Sequence, residues 1–139
     1  MENELYKIYS NLKSNQSIGI DGISKQKLDE IIDDEIAIIK RKIENNSYEF
    51  SFYKQKLLVK SINKTREISI PTLRDKIVLR YLFNEISNSF KDTLTTKLHA
   101  NMIISEVIEN RENFNAFIKV DIVNFFPSIN HEILLDKLK

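Results

Sequence analysis

Leu28, Ile31, Ile32, Ile36, Ile39 and Ile43 recur at three- and four-residue intervals, so a helix through them carries one continuous aliphatic stripe that must be covered. Ser24 stands in front of this stripe as an N-cap, and Asn45-Asn46-Ser47 ends it, which predicts one long helix over 24–44 with its stripe in the core. At Tyr48 the period changes. Phe50, Phe52, Lys54 and Lys56 alternate along one strand, Leu57-Leu58-Val59 leads to Lys60, and Arg66-Glu-Ile-Ser-Ile70 resumes the alternation after a polar connection over 61–65. A period of two on both sides of a polar connection predicts a β-hairpin over about 48–70 with a basic tip. A helical stripe followed by such a hairpin places the chain in the α+β class.

The remaining elements follow from the same signals. Leu5, Ile8, Tyr9 and Leu12 predict a short helix over 2–13, and the polar stretch 14–23, with Gly19 and Asp21-Gly22, reads as a loop. Pro71 closes the second strand. Thr72 caps a helix reaching to about Phe90 on Val78, Tyr81, Leu82, Ile86 and Phe90, with Asp75 at its third position as the acidic reciprocal of a capping box. A shorter helix is expected over 101–110. Ala116-Phe-Ile-Lys-Val-Asp-Ile122 is an apolar run of the kind found in buried strands, and Asn130 caps a final helix bearing Ile133, Leu134 and Leu138. A buried strand so placed is expected to need neighbours, from chain beyond Lys139 or from a second copy.

Charge is segregated. The net charge is +1, yet residues 54–80 hold eight basic side chains (Lys54, Lys56, Lys60, Lys64, Arg66, Arg74, Lys76 and Arg80) against Glu67 and Asp75, a local +6 that leaves −5 for the rest. Such a field attracts a polyanion, although it also describes a solvated basic hairpin. The chain has no cysteine, which excludes disulfides, thiolate zinc sites and cysteine nucleophiles and agrees with a cytoplasmic setting. The N-terminus lacks a signal-peptide run, and no stretch approaches the roughly 20 apolar residues of a membrane span. His99 and His131 have no partners at ligand spacing and read as surface or capping residues.

Asp121, at the end of its apolar run, carries the chemistry. A carboxylate there is costly to bury unless it is paired, caps a turn, or grips a cation, as strand-end carboxylates do in phosphoryl transfer. The segment Phe117-Ile-Lys-Val-Asp-Ile-Val-Asn-Phe-Phe-Pro-Ser-Ile-Asn-His131 resembles the first palm motif of bacterial reverse transcriptases. Gly19-Ile-Asp-Gly22 resembles the N-terminal Gly-X-Asp-Gly element of that family, and Arg66-Glu-Ile-Ser-Ile-Pro-Thr-Leu-Arg-Asp-Lys-Ile-Val-Leu-Arg80 resembles its fingers segment.

The resemblance implies residues 1–115 as fingers and 116–139 as the start of a palm. It implies Asp121 and the backbone carbonyl of Ile122 as Mg²⁺ ligands, and Phe126 as the ring that rejects a ribose 2′-hydroxyl. Arg66 and, second to it, Lys60 would bind the triphosphate of a dNTP. Lys54, Lys56, Arg74 and Arg80 would contact phosphates of an RNA template and its DNA or RNA primer, or are solvated surface.

Departures from the family pattern are specific. Leu58-Val-Lys60 lacks the usual proline, and the hairpin tip Ser61-Ile-Asn-Lys-Thr65 has no glycine. Residues 97–101 do not reproduce the intron-enzyme element between fingers and palm, so the likeness leans towards retron or phage-defence types. The Tyr-X-Asp-Asp motif is missing. Asp33-Asp34 is the only Asp-Asp pair, and it falls within a predicted helix without the hairpin. The chain alone is therefore expected to lack polymerase activity and to need the remaining palm and thumb, or a second copy. A non-catalytic nucleic-acid-binding module and a helical assembly protein built on the Ile-rich helix are the two other classes compatible with these features.

Overall fold

A computed structural model describes residues 1–14, 17–61, 64–91, 100–114, 116, 118, 120 and 122–138, with Lys60, Ser61, Lys64, Ala100 and Asn101 described by their backbone alone. Among these residues the architecture is α+β. Seven helices accompany one antiparallel hairpin: α1 (Glu2–Ser10), α2 (Lys25–Glu30), α3 (Ile32–Glu44), β1 (Lys54–Ser61), β2 (Lys64–Ile70), α4 (Leu73–Ser89), α5 (Ala100–Glu109), α6 (Phe125–Ser128) and α7 (His131–Lys137). The chain divides into two compact units, Met1–Thr95 and Thr96–Lys139. No helix among the described residues is long and apolar enough to cross a membrane.

The first unit is organised around aliphatic side chains from four helices. Leu5 and Ile8 of α1, Leu28 of α2, Ile36 and Ile39 of α3, and Leu73, Ile77, Val78 and Tyr81 of α4 form one buried cluster. Removing each large aliphatic group from water contributes about 1.5–3 kcal/mol, which orders short helices that would be marginal alone. The α1 helix stops at Ser10, earlier than its apolar pattern suggests. Ser10 Oγ and Asn11 Nδ2 both donate to the Lys7 carbonyl, 2.8 Å each, and so compete with the helical ladder.

The long helix expected over 24–44 is instead two, joined at Ile31, whose backbone (φ −124°, ψ 15°) leaves helical geometry. Electrostatics and tethering account for the break. A continuous helix would set Asp29 over Asp33 and Glu30 over Asp34 as like-charged i,i+4 pairs. A new start at Ile32 places Asp33, Asp34 and Glu35 in a first turn, where the helix dipole favours carboxylates. Two tyrosines of α1 hold the joint from either side: Tyr6 Oη donates to Asp33 at 2.7 Å and Tyr9 Oη donates to Asp29. Asp29 also accepts from Lys25, which holds its carboxyl below the ordinary carboxylate range. Most of the predicted stripe stays inward, but Ile31 is exposed.

Helix α3 ends as its sequence predicts. Asn46 adopts a left-handed conformation (φ 52°). Its N–H donates to the Ile43 carbonyl at 3.0 Å, while the Ser47 N–H reaches Lys42 at 2.8 Å, the paired bonds of a Schellman ending. The hairpin begins later than expected, at Lys54, because residues 48–53 are tied elsewhere. Tyr48 Oη and the Ser51 N–H donate to the two oxygens of Asp75, at 2.8 and 3.1 Å. Asp75 thus completes only half of a capping box: its N–H donates to Thr72 Oγ1 at 3.1 Å, and its carboxylate serves the incoming chain.

Gly19 lies under the start of α4. A Cβ placed on it would come 2.7 Å from Thr72 Cα and 2.9 Å from Thr72 N. Gly22 meets no such obstacle but has φ +70°, which only a residue without Cβ adopts freely.

In the second unit no side chain among the described residues is buried. Of the buried strand expected over 116–122, residues 117, 119 and 121 lie outside the described residues. Ala116, Ile118, Val120 and Ile122 are outside any strand, and Ile118 is 91% exposed. A strand needs partners for its backbone groups, and among the described residues the sole sheet is the β1–β2 hairpin. Asn130 does cap α7, accepting from Glu132 and Ile133 N–H at 3.0 and 3.1 Å.

Gly19→Ala is expected to lower stability by about 1–3 kcal/mol through the forced backbone shift at Thr72, read as a lower urea midpoint. A variant as stable as the parent would show that the loop does not approach α4 in this way.

Candidate nucleic-acid interface

The hairpin register decides which cations share a face. Lys54 pairs with Ile70, Lys56 with Ile68 and Leu58 with Arg66, while Gln55, Leu57 and Val59 pair with Ser69, Glu67 and Thr65. Partnered residues point to the same side and successive residues to opposite sides. One face therefore carries Lys54, Lys56 and Arg66, and the opposite face carries Glu67, the one acid of residues 54–70. Lys54, Lys56 and Arg66 are exposed. Alternate residues on a strand are about 6.8 Å apart, so each cation can take a separate phosphate. Lys60 falls where the ladder is irregular, between Val59 and Ser61, and its side chain lies outside the described residues.

The two arginines of α4 have different surroundings. Arg74 forks onto Glu35, with Nη2 to Oε1 at 2.5 Å and a second bond from Nε to Oε2. The bonds from Glu35 come first among the influences that raise the guanidinium above its ordinary pKa, ahead of opposing burial. Glu35 is 6% exposed, so Arg74 answers a carboxylate that would otherwise be buried without a counter-charge. Arg80, six residues on and about 120° around the helix, is exposed, and its guanidinium lies over the Phe83 ring at 5.0 Å. Lys54, Lys56 and Arg66 are thus brought together on the hairpin, and Arg74 and Arg80 are not part of that face.

Asp121 lies outside the described residues, as does His99. Ile122 is 63% exposed. Phe126 is 80% exposed and meets Phe125 edge-on, with ring centroids 5.4 Å apart. Asn124, at φ 54°, turns the chain into α6 before these rings. Among the described residues no three His, Asp or Glu side chains converge to hold a metal ion. The described residues therefore do not complete a magnesium site, which needs oxygen donors in near-octahedral array.

Sequence reasoning missed the polar cluster behind the hairpin. Tyr48 is driven well above its ordinary pKa, by burial first and by the bond to Asp75 second. Burial lowers the Lys76 ammonium, which donates to the Ser17 carbonyl at 3.1 Å. The available signal was Asp75 itself, a carboxylate among the aliphatic residues of a helix's first turns. Comparison with known proteins found no matching family model and no matching curated protein.

Arg74→Ala is expected to cost about 2–3 kcal/mol of stability, because it strands Glu35 without its partner, whereas Arg66→Ala should change it by less than about 0.5 kcal/mol. Chemical denaturation of both variants checks this. Equal losses would remove the distinction between a structural and a surface arginine.

Proposed function

We propose that this chain is the fingers and first palm segment of an RNA-directed DNA polymerase, and that the Lys54–Lys56–Arg66 face of its hairpin holds nucleic-acid and nucleotide phosphates. The observation that carries the reading is the sorting of charge by strand face, which sets three exposed cations on one face, two on β1 and Arg66 on β2, and turns Glu67 away. The likeness of residues 117–131 to the first palm motif and of residues 66–80 to the fingers segment adds to it.

In this reading Arg66 is the fork for a dNTP phosphate, Lys60 supplies a second, point charge to it, and Lys54 and Lys56 follow the template backbone. Asp121 and the Ile122 carbonyl are its Mg²⁺ donors, to be joined by carboxylates of a Tyr-X-Asp-Asp motif that these 139 residues do not contain. Phe126 selects deoxyribose by overlap with a 2′-hydroxyl. The reaction served is attack of a primer 3′-hydroxyl on the α-phosphorus of a dNTP, with pyrophosphate leaving. Arg74 is assigned to structure rather than to phosphate.

One feature favours nucleic-acid binding without catalysis as the second reading. The cationic face belongs wholly to the Met1–Thr95 unit, which contains the buried core, so binding through it requires nothing from Thr96–Lys139.

Fluorescence anisotropy on a single-stranded RNA across a salt series tests the shared claim. Each of Lys54→Gln, Lys56→Gln and Arg66→Gln should weaken binding and flatten the log–log salt slope by roughly 0.7 per lost contact. Unchanged slopes in all three would sink both readings. Primer extension separates them: the chain alone should incorporate no dNTP, and addition of a palm segment bearing Tyr-X-Asp-Asp should restore Mg²⁺-dependent incorporation that Asp121→Asn abolishes. Failure of restoration, with RNA binding intact, leaves the non-catalytic reading standing.

A further inference from the structure

A polar stripe runs along α1 beside its apolar one. Asn3, Lys7 and Asn11 recur at four-residue intervals, and Arg80 and Asn84 are spaced the same way on α4. The structure brings the two rows together. Asn3, Glu4, Lys7, Ile8, Asn11, Arg80 and Asn84 line a cleft of about 530 Å³ between α1 and α4, within the size range of small-molecule sites.

Four of the lining side chains, Glu4, Asn11, Arg80 and Asn84, are held in place. Asn84 Nδ2 donates to Glu4 Oε1 at 3.1 Å, Asn11 Nδ2 donates to the Lys7 carbonyl at 2.8 Å, and Arg80 rests over Phe83. Neither Lys7 nor Arg80 has a carboxylate at ion-pairing distance among the described residues. Two cations without carboxylate partners on facing helices suit a phosphate. The side-chain amides of Asn3 and Asn11 offer the paired donor and acceptor groups that match a nucleobase edge.

We propose that the α1–α4 cleft binds a free mononucleotide, with its phosphate held between Lys7 and Arg80 and its base read by the amides of Asn3 and Asn11. Glu4 is the one acid in the lining. It holds Asn84, and it opposes an anion nearby, which keeps the site selective for a ligand that offers more than charge. The proposal does not rest on the polymerase reading, because it uses none of Lys54, Lys56, Arg66 or Asp121.

Titration of the full chain with adenosine 5′-monophosphate, followed by calorimetry, tests it, with adenosine and inorganic phosphate as separate probes. The nucleotide should bind at least roughly tenfold more tightly than either probe, since each lacks one half of the contacts. Lys7→Gln and Arg80→Gln should each weaken binding by roughly tenfold. Glu4→Gln should tighten it several-fold, an effect of opposite sign that loss of folding cannot mimic. Lys7→Gln should leave the salt slope of RNA binding unchanged while it weakens nucleotide binding, so that failure of one site is read separately from failure of the other. No binding of the nucleotide, binding no tighter than that of phosphate, or binding indifferent to Lys7, Arg80 and Glu4 overturns the proposal.

Discussion

The Asp75 carboxylate is the fixed point to which the hairpin is referred. It sits 1% exposed at the third position of α4, where its own N–H closes on Thr72 and its two oxygens take up Tyr48 and the Ser51 N–H. Ser51 lies three residues before β1 and Thr72 two residues after β2, so both legs of the hairpin are anchored at one helix end. A two-stranded ribbon is marginal on its own. Here its base is set by charge-assisted hydrogen bonds in a buried place, where leaving either partner unpaired is costly. Gly19 closes the junction from below, passing so near Thr72 that no side chain fits.

Strand register and packing together sort the charges of residues 54–80. Asp75 is consumed inside, Glu67 faces away from the lysines, and Arg74 is drawn to Glu35. What remains outward on one hairpin face is cationic. Net charge over a window therefore overstates some residues and hides others. Arg74 counts towards the +6 but spends its charge on a buried carboxylate, while Lys54, Lys56 and Arg66 gain by having no acid on their side. This arrangement gives the phosphate-binding proposal its physical content, and it is independent of any likeness in sequence.

The second unit shows the reverse condition. Its described helices carry Ile103, Ile104, Val107, Ile133, Leu134 and Leu135 at the surface, and none of its described side chains is buried. Aliphatic periodicity there is as clear as in α3, yet it meets no facing layer among the described residues of that unit. A pattern states which side of an element wants cover, and only the rest of the fold supplies the cover.

Local grammar was legible in the sequence wherever it involves a few residues and one hydrogen bond. The caps at Ser24, Thr72 and Asn130, the Asn46 helix ending, the turn at Gly22, the inward faces of α1 and α3, and the burial of Val78 and Tyr81 on α4 all follow from residue type and spacing, whereas Leu82 and Ile86 of the same expected stripe are exposed. The break at Ile31, the late start of β1 and the exposure of Ile118 and Val120 did not, since each depends on groups distant in sequence: two tyrosines on α1, a carboxylate on α4, and a covering layer that the described residues of the second unit do not supply. The basic character of 54–80 was visible in composition, whereas its division into a hairpin face, a structural arginine and a cleft arginine was decided by tertiary structure. Residue type sets what a side chain can bond to. Which partner it receives depends on what the fold carries within about 3 Å of it, and no spacing along the chain encodes that distance.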